Sequence, residues 1–461
     1  MNNTEASNKH SNPGASEAES AYKRALEHHK NGRLLDAVRE YSLTVRLSPY
    51  SPEAYNNFGV ALRALGRVHG AVACYRRSLG IRPRSASVLT NLGNAFRDLG
   101  MIKRSIAAHE RALKITPISA NAHFNAALAF RDGGKVELAL EHFQKALALD
   151  PANIEIKMEI GISLLRAGEW KEGLQLLEAR LKIPRFANKR NDIQLWQKQS
   201  LNGKIILVTY EGSPGTLIMM SRFARNLKLA GAKVIMEAPE KAVPLLRLSP
   251  DIDEVVNIGA SINNADYQVG LLSIPERLGI TINNIPGETP YLRPGVLPAH
   301  ELEISPAIKL AMGIAWSDKA VSEDKEKHNK CRLEDLMEIV ALPGIQAFSL
   351  TGDEAQREIG KIGVEDIITN AVGENSDLGE IAGIIEQLDL VITVDGTVAH
   401  VAGALGKPTW LLLPPGADWC WLLEREDTPW YPNIRIFRKG PDESWSDLGA
   451  RVRKNLHEVL Q

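Results

Sequence analysis

The sequence predicts a multidomain protein in which an all-α solenoid of helical repeats is followed by an α/β region with two parallel sheets. Three observations support this fold class. Glycines and prolines recur every 34 residues through the first half, the helical period stops after Arg185, and short apolar runs then alternate with helix-like segments. At 461 residues the chain is also longer than one hydrophobic core usually supports.

Four kinds of residue recur at the same 34-residue interval: glycine, proline, a small residue and a bulky residue. Within each unit a small residue follows the glycine by five positions, and a bulky residue follows it by nine. This spacing is typical of a helix–turn–helix unit: glycine permits the turn, the small residue lets the helices approach, and proline ends the second helix. The positions are Gly32, Gly66, Gly100, Gly134 and Gly168; Pro49, Pro83, Pro117 and Pro151; Ala37, Ala71, Ser105, Ala139 and Gly173; and Tyr41, Tyr75, His109, Phe143 and Leu177.

This pattern resembles the tetratricopeptide repeat. The second unit carries it most completely, in Tyr55, Phe58, Gly59, Ala71, Tyr75 and Pro83. The resemblance covers about residues 18–185, or about five repeats, and the first and last units are the least complete, as expected for caps. His109 occupies a bulky packing position, so we expect it in the core rather than as a metal ligand.

Asparagines recur on the first helices of three successive repeats, among them Asn57, Asn91, Asn94 and Asn125. In such solenoids the first helices line the concave groove, where side-chain amides can hydrogen-bond an extended peptide backbone. For any single asparagine a solvated polar face is an equal alternative. Their recurrence favours a groove that binds a protein partner.

Composition favours neither nucleic acid nor an anionic membrane surface as a partner, because the formal net charge is only −1. The three cysteines have no metal-ligand spacing, and no apolar run approaches about 20 residues. We therefore expect a cytoplasmic protein without a metal site or a membrane span, and a disordered leader over residues 1–17.

After Arg185 the pattern is that of parallel sheets flanked by helices. We predict strands at about 205–210, 233–237, 254–257 and 267–272, and a second series at about 312–316, 345–350, 366–369, 389–394 and 409–413. A final helix is expected from about Trp445 to Leu460.

One strand–helix junction is the strongest candidate for chemistry. The apolar run that begins at Leu388 ends in Asp395, Gly396 and Thr397, and a helix of small residues follows at once. The N–H groups and dipole of such a helix start favour a pyrophosphate, and Thr397 adds a hydroxyl donor. Asp395 could instead cap the helix. His400, one turn later, could donate to a phosphate, although its spacing favours a place in the core.

Residues Asp395–Pro414 and the Trp-rich tail Asp418–Pro432 look like the C-terminal domain of bacterial tetratricopeptide–glycosyltransferase fusions. They resemble more distantly the heptosyltransferases of the GT-B fold, and about residues 195–440 follow that pattern. The resemblance implies two Rossmann-like subdomains, with a nucleotide-sugar donor near Asp395, Gly396, Thr397 and His400 and an acceptor entering from the N-terminal sheet. It also implies that no metal or cofactor is needed, because amides and basic side chains hold the leaving diphosphate.

The domain organisation expected on this basis has five parts. They are the leader 1–17, the repeat solenoid 18–185, a linker 186–204, an N-terminal Rossmann-like subdomain 205–300, and a C-terminal nucleotide-sugar-binding subdomain 301–461 that includes the final helix.

The sequence departs from the related enzymes in the loop after its first predicted strand. Heptosyltransferase-like enzymes carry there an aspartate that is the candidate general base, and Thr216 stands in its place. A threonine does not accept a proton at neutral pH as a carboxylate does. Glu211 is either a displaced base or, as favoured, an ordinary loop residue.

Two further features admit two interpretations each. Lys330 or Arg332 could neutralise a diphosphate, although a solvated loop is favoured for the charged run in which they lie. The tail aromatics Trp419, Trp421, Trp430 and Tyr431 could stack on a ligand, but packing of the last helix across the two sheets is favoured.

The leading functional hypothesis is a metal-independent glycosyltransferase that moves a sugar from a nucleotide donor to a Ser or Thr hydroxyl of a protein held by the repeats. The resemblance suggests a flagellin-like surface protein as acceptor. One alternative is a scaffold that keeps the fold but has lost turnover, which the missing aspartate supports. Another is a transferase that acts on a lipid-linked or polysaccharide glycan.

Overall fold

The computed structural model describes residues 13–183, 186, 190, 192–262, 264–293, 301–317, 331–373, 375–440 and 443–460. The described residues form two compact units, one up to Pro151 and one from Ala152 onward. Residues 1–12 of the predicted leader and Lys330 lie outside the described residues. Residues 13–17, also predicted as leader, belong to the first helix, which begins at Pro13.

The first unit consists of four helix pairs. Each pair is joined at one of the predicted glycines, which adopt positive φ angles, for example 75° at Gly66 and 68° at Gly100. Each second helix ends two residues before one of the predicted prolines. The helices are α1 (Pro13–Lys30), α2 (Leu34–Leu47), α3 (Pro52–Ala64), α4 (Val68–Ile81), α5 (Ala86–Asp98), α6 (Ile102–Ile115), α7 (Ala120–Asp132) and α8 (Val136–Leu149).

The small and bulky positions of the repeat form the contacts within each pair. Tyr41, Tyr75, His109 and Phe143 are all buried, as are the small residues four positions before them. A Cβ on Gly93 would lie 2.6 Å from the His109 ring, and one on Gly59 would lie 2.6 Å from the Tyr75 ring. The predicted close approach of the two helices is confirmed, and His109 lies in the core.

A fifth helix pair, α9 (Ile154–Ala167) and α10 (Trp170–Leu177), belongs to the second unit. Its apolar side chains share one core with residues of the sheets that follow. Trp170 contacts Trp419 and Trp430 with ring centroids 5.6 and 5.5 Å apart. By its packing this pair is therefore part of the α/β fold.

The first sheet is parallel, with the strand order β1-β5-β2-β3-β4. Its apolar strand residues are buried between flanking helices, which explains the near-continuous Val, Ile and Leu runs. The strands are β1 (Gln194–Leu195), β2 (Ile205–Thr209), β3 (Lys233–Ala238), β4 (Glu254–Asn257) and β5 (Tyr267–Gly270), and the helices are α11 (Pro214–Ser221), α12 (Ala224–Leu229), α13 (Val243–Leu246) and α14 (Ile274–Leu278).

The second sheet is also parallel, with the order β11-β10-β9-β6-β7-β8. The strands are β6 (Leu310–Ala315), β7 (Ile345–Ser349), β8 (Ile368–Asn370), β9 (Leu390–Val394), β10 (Thr409–Leu413) and β11 (Ile434–Arg438). The helices are α15 (Leu333–Val340), α16 (Asp353–Ile362), α17 (Leu378–Glu386), α18 (Thr397–Ala404) and α19 (Trp445–Leu460).

The structure confirms the helical solenoid followed by parallel-sheet α/β elements, and each predicted strand is present within about two residues of its expected bounds. Two strands, β1 and β11, were not predicted. The tail aromatics are buried, as favoured, but they pack against α10, α18 and Phe223, which lies between α11 and α12. The final helix α19 instead packs on α15 and β11 of the second sheet.

Candidate functional site

A cleft of about 400 Å³ lies where the carboxyl ends of the two sheets meet. The loops after β2 and β3 form one wall, and the loops after β6, β7, β8 and β9 form the other. Its lining is largely apolar. The lining residues are Pro214, Pro239, Glu240, Lys241, Ala242, Ser317, Leu350, Thr351, Gly352, Val372, Gly373, Ser376, Leu378, Ile381, Thr397, Val398 and Val401.

The first turn of α18 forms part of the second wall. Thr397, Val398 and Val401 line the cleft, and Gly396 precedes them as the N-cap residue. The start of a helix carries partial positive charge and N–H groups that its own turns do not use. The predicted strand–helix junction therefore does face a cavity, through Thr397.

Asp395 does not line the cleft and is not the N-cap of α18. Its Oδ1 accepts a hydrogen bond from the Trp421 indole N–H at 2.8 Å. Arg438 lies nearby and donates to the carbonyls of Trp421 and Leu422 at 3.2 and 2.9 Å. Asp395 thus positions the aromatic tail behind the cleft wall.

His400 lies in the core between the two sheets. Its Nδ1 is 2.9 Å from the Tyr431 hydroxyl, and its ring stacks on Trp421 with centroids 5.0 Å apart. A Cβ on Gly215 would lie 2.7 Å from the ring, so α11 and α18 are in close contact here. Burial, together with the charge of Arg222, lowers the pKa of His400 to about 3. The imidazole is therefore neutral near pH 7 and packs the two helices together.

Arg222 also holds the two sheets together behind the cleft. It is 4% exposed, and Nη1 donates to the carbonyls of Pro286 and Trp430 at 2.7 and 2.6 Å. Its guanidinium lies over the rings of Tyr291 and Tyr431, 4.5 and 4.7 Å from their centroids. These contacts join the segment after α11 to the loop of residues 286–291 and to the aromatic tail.

The two candidate base residues of the β2 loop are both engaged. Thr216 forms a capping box with Ser213 at the start of α11, its N–H donating to Ser213 Oγ at 3.1 Å. Glu211 accepts a hydrogen bond from Arg180 Nη2 at 2.8 Å and one from the backbone N–H of Leu272 at 3.2 Å. Neither side chain lines the cleft.

Sequence reasoning missed the charged residues of the cleft lining, Glu240 and Lys241, and the polar residues Thr351 and Ser376. A signal was present, because Glu240 follows the predicted strand 233–237 closely and Thr351 follows 345–350 directly. In parallel sheets ligands bind outside the carboxyl ends of the strands. Of the two cationic candidates, Lys330 lies outside the described residues, and Arg332 does not line the cleft. The Arg332 guanidinium lies 3.9 Å from the carboxylates of Glu334 and Asp335.

Among the described residues, no group of three or more His, Cys, Asp or Glu side chains is placed to hold a metal ion. None of the helices in the described ranges has both the length and the apolar composition that a membrane span requires.

The candidate groove asparagines are partly joined to one another. Asn57 donates to the Tyr22 hydroxyl at 2.9 Å, Asn56 donates to Asn57 Oδ1 at 3.1 Å, and Asn91 donates to Asn56 Oδ1 at 2.9 Å. The structure thus brings Asn57 and Asn91 into one chain of amides across successive first helices. Asn125 is separate and buried, donating to Asn121 Oδ1 at 2.7 Å, and Asn94 Oδ1 is buried without a partner.

Fold and cleft together define the class: a protein with tetratricopeptide repeats followed by a parallel-sheet α/β region. Residues 53–83 and 90–154 match the tetratricopeptide repeat, which therefore occupies the N-terminal region. Over 325 residues the chain is 25% identical to Protein FlbA of Caulobacter vibrioides, an alignment that covers 64% of this chain. The chain spans about half of that relative, 54% of its length.

Several solved structures are similar to part of this chain. MamA from Desulfovibrio magneticus is 22% identical and covers 38% of this chain and 98% of its own, with a TM-score of 0.35. PilF from Pseudomonas aeruginosa is 18% identical over 38% of this chain and 79% of its own, with a TM-score of 0.34. YrrB, described as a TPR protein with an unusual peptide-binding site, is 17% identical and covers 37% of this chain and 88% of its own, with a TM-score of 0.32.

Proposed function

We propose that this chain is a glycosyltransferase of the GT-B type, which transfers a sugar from a nucleotide donor to a protein held by its repeats. The observation that carries the proposal is the cleft of about 400 Å³, which is lined from the carboxyl ends of two facing parallel sheets. This is where doubly wound sheets bind nucleotides. Two sheets that contribute separate walls suit a reaction between two substrates.

The second wall suits the donor. A diphosphate would lie at the first turn of α18, where backbone N–H groups, the helix dipole and the Thr397 hydroxyl favour negative charge. Leu350, Leu378 and Ile381 provide apolar surface for the base. Lys241, on the opposite wall, brings a positive charge to the same cleft and would stabilise the leaving diphosphate.

In the transfer step the acceptor hydroxyl oxygen bonds to the anomeric carbon, and the bond from that carbon to the diphosphate oxygen breaks. The hydroxyl proton must pass to a base. Glu240 is the carboxylate among the described lining residues, whereas Glu211 is held by Arg180. We therefore assign the base to Glu240 rather than to the β2 loop, with a Ser or Thr hydroxyl of the protein as acceptor.

A second candidate function is a scaffold that binds a nucleotide or nucleotide sugar without turnover. The observation in its favour is that Thr216 and Glu211, on the loop where related enzymes carry the base, are both committed to internal contacts. In this function the repeats still bind a protein partner, and the cleft binds the nucleotide or nucleotide sugar without catalysing transfer.

Transfer to co-expressed candidate acceptors, flagellin-like proteins among them, distinguishes the two functions. Intact-mass measurement should show a sugar added by the wild type. Glu240→Gln should reduce the rate by about 10²–10⁴-fold, the usual contribution of a general base. Glu254→Gln, an exposed change outside the cleft, should leave the rate unchanged. Donor binding without any mass shift supports the scaffold, and equal rates in wild type and Glu240→Gln rule out the assigned base.

A further inference from the structure

The helical unit contains a second cavity, a groove of about 390 Å³ formed by α4, α5 and α6. Its floor is apolar and its rim carries three arginines. The lining residues are Arg76, Leu79, Leu92, Phe96, Arg104, Ala107, Ala108 and Arg111. Two of the three helices, α4 and α6, are second helices of their repeats, so this groove is distinct from the asparagine-bearing face of the first helices.

The three arginines have exposed side chains and no carboxylate partner within the described chain. No acidic residue lines the groove. The Arg76 guanidinium lies 5.7 Å from the centroid of the Phe96 ring, and Arg104 donates weakly to the Met101 sulfur at 3.6 Å. The groove therefore presents positive charge above an apolar floor, and no part of the described chain neutralises that charge.

The arrangement occurs once, although the scaffold repeats. One repeat later, at +34, the positions of Arg76 and Arg104 are held by Glu110 and Leu138. One repeat earlier, at −34, they are held by Ser42 and Gly70. The position of Arg111 is basic in both neighbouring repeats, as Arg77 and Lys145. The fold of a repeat thus does not require arginine at the positions of Arg76 and Arg104, and neither neighbouring repeat carries all three cations.

We propose that this groove binds an acidic peptide segment of a partner protein that carries one bulky apolar side chain. The apolar side chain packs on Leu79, Leu92 and Phe96, while carboxylates on either side pair with the arginines. Arg104 and Arg111 are seven residues apart on one face of α6, about 10 Å along the helix. Carboxylates two or four residues apart on one face of an extended peptide are about 7 or 13 Å apart, and the long arginine side chains can reach either spacing.

The groove suits a peptide better than a nucleic acid. Its described lining residues include three cationic side chains, and its floor is aliphatic and aromatic rather than polar. The proposal does not depend on the α/β cleft, so peptide binding by the groove can be tested independently of sugar transfer.

Fluorescence anisotropy of the full chain with a labelled peptide tests the proposal. The probe is a ten-residue peptide with a central phenylalanine and two glutamates on each side in a Ser–Gly background. Two matched peptides replace the glutamates by glutamines or the phenylalanine by serine. We expect both to bind about tenfold or more weakly than the probe, a difference of ~1.4 kcal/mol. Binding of the probe should also weaken between about 50 and 300 mM salt.

The double variant Arg104→Glu/Arg111→Glu should lose binding by about tenfold or more. Its matched control is Arg77→Glu/Lys114→Glu, which reverses two exposed charges on the same helices outside the groove and should bind like the wild type. Circular dichroism of each variant checks that the repeats remain folded. Equal affinity for the probe and its glutamine form, equal affinity of the two double variants, or stronger competition by a single-stranded oligonucleotide would each overturn the proposal.

Discussion

His109 is buried in the helical unit with both ring nitrogens lacking a hydrogen-bond partner. Burial, with a smaller contribution from the charge of Arg97, lowers its pKa to about 4. The equivalent positions of the other helix pairs in this unit hold Tyr41, Tyr75 and Phe143. A polar ring therefore occupies a site that the fold otherwise fills with a phenyl or phenol group.

The lowered pKa predicts that acid destabilises the helical unit. The unfolded histidine, with a pKa near 6.5, binds a proton more readily than the folded one, so the stabilisation is complete above about pH 6.5 and is lost as the pH falls towards 4. The free energy of unfolding should fall by up to ~1.4 kcal/mol per pH unit for this group. Urea unfolding between these pH values measures it.

Replacement of His109 by Phe should stabilise the unit and flatten this pH dependence. The change removes two buried nitrogens without partners, a gain of about 1–3 kcal/mol. Gly93 leaves room for the ring, as Gly59 does for Tyr75. A variant that unfolds more easily at pH 7, or that keeps the wild-type slope, would show that the His109 nitrogens find partners in solution.

At the level of elements, the short 3₁₀ turn at Glu178–Lys182 holds α10 to the first sheet through buried ion pairs. Arg180 is 1% exposed and donates to Glu211 and to Ser273 at 2.8 and 2.7 Å. Glu178 accepts from Arg180 at 2.7 Å and from Arg277 at 2.8 Å. The geometry assigns Glu211 to this network and thus to positioning of the β2 loop.

Glu211→Gln should therefore lower the free energy of unfolding of the α/β unit by about 1.5–3 kcal/mol, because it removes one of the two carboxylates that pair with the buried Arg180 guanidinium and leaves Glu178 as the other. Donor affinity at a temperature where the variant remains folded should stay close to wild type. Chemical denaturation and donor titration together test this. A variant as stable as the wild type but without turnover would restore Glu211 as the catalytic base.

The elements were predictable from sequence where local pattern determines them. The turns at Gly66 and Gly100 follow from the 34-residue period, and the strands follow from apolar runs of a length that suits buried parallel strands. Strand β11 was missed because Ile434–Arg438 is short and interrupted by Arg435, whereas the other strands of this sheet were recognised from longer apolar runs. The order of strands in each sheet depends on packing between distant segments, which local pattern does not encode.

The candidate site was predicted less completely than the fold. The Asp395–His400 segment does contain a cleft residue, Thr397. This was predictable because a strand–helix junction is recognisable in the sequence and lies at the carboxyl end of its strand. Asp395 and His400 do not line the cleft, because their side chains hydrogen-bond to Trp421 and Tyr431 of the aromatic tail. Glu240 and Lys241 closely follow a predicted strand, which places them at the carboxyl edge of a sheet. No spacing within the sequence shows that a second sheet faces this edge and makes it one wall of a cleft.

At the scale of the whole molecule, packing places the boundary between compact units at Pro151, so that α9 and α10 are integral to the α/β fold. A fragment of residues 152–461 should unfold cooperatively and bind donor like the full chain. A fragment of 186–461 should not, because it exposes Trp419 and Trp430 and removes Arg180. Dye binding to exposed apolar surface and thermal unfolding compare the two. Equal behaviour of both fragments would contradict the packing account.

The central claim, that the cleft between the sheets holds a nucleotide-sugar donor, is tested most directly by calorimetric titration with UDP-, GDP-, ADP- and CMP-linked sugars. Gly352 lines the cleft, its φ of −63° is open to any residue, and an added Cβ meets nothing within 4 Å. Gly352→Phe should thus fill the cleft without disturbing the fold, and Gly80→Phe, in equally open space on α4, is its control. The account predicts that one nucleotide class binds wild type and Gly80→Phe alike and binds Gly352→Phe about tenfold or more weakly. Absence of binding at millimolar donor, or equal binding to Gly352→Phe, would contradict it.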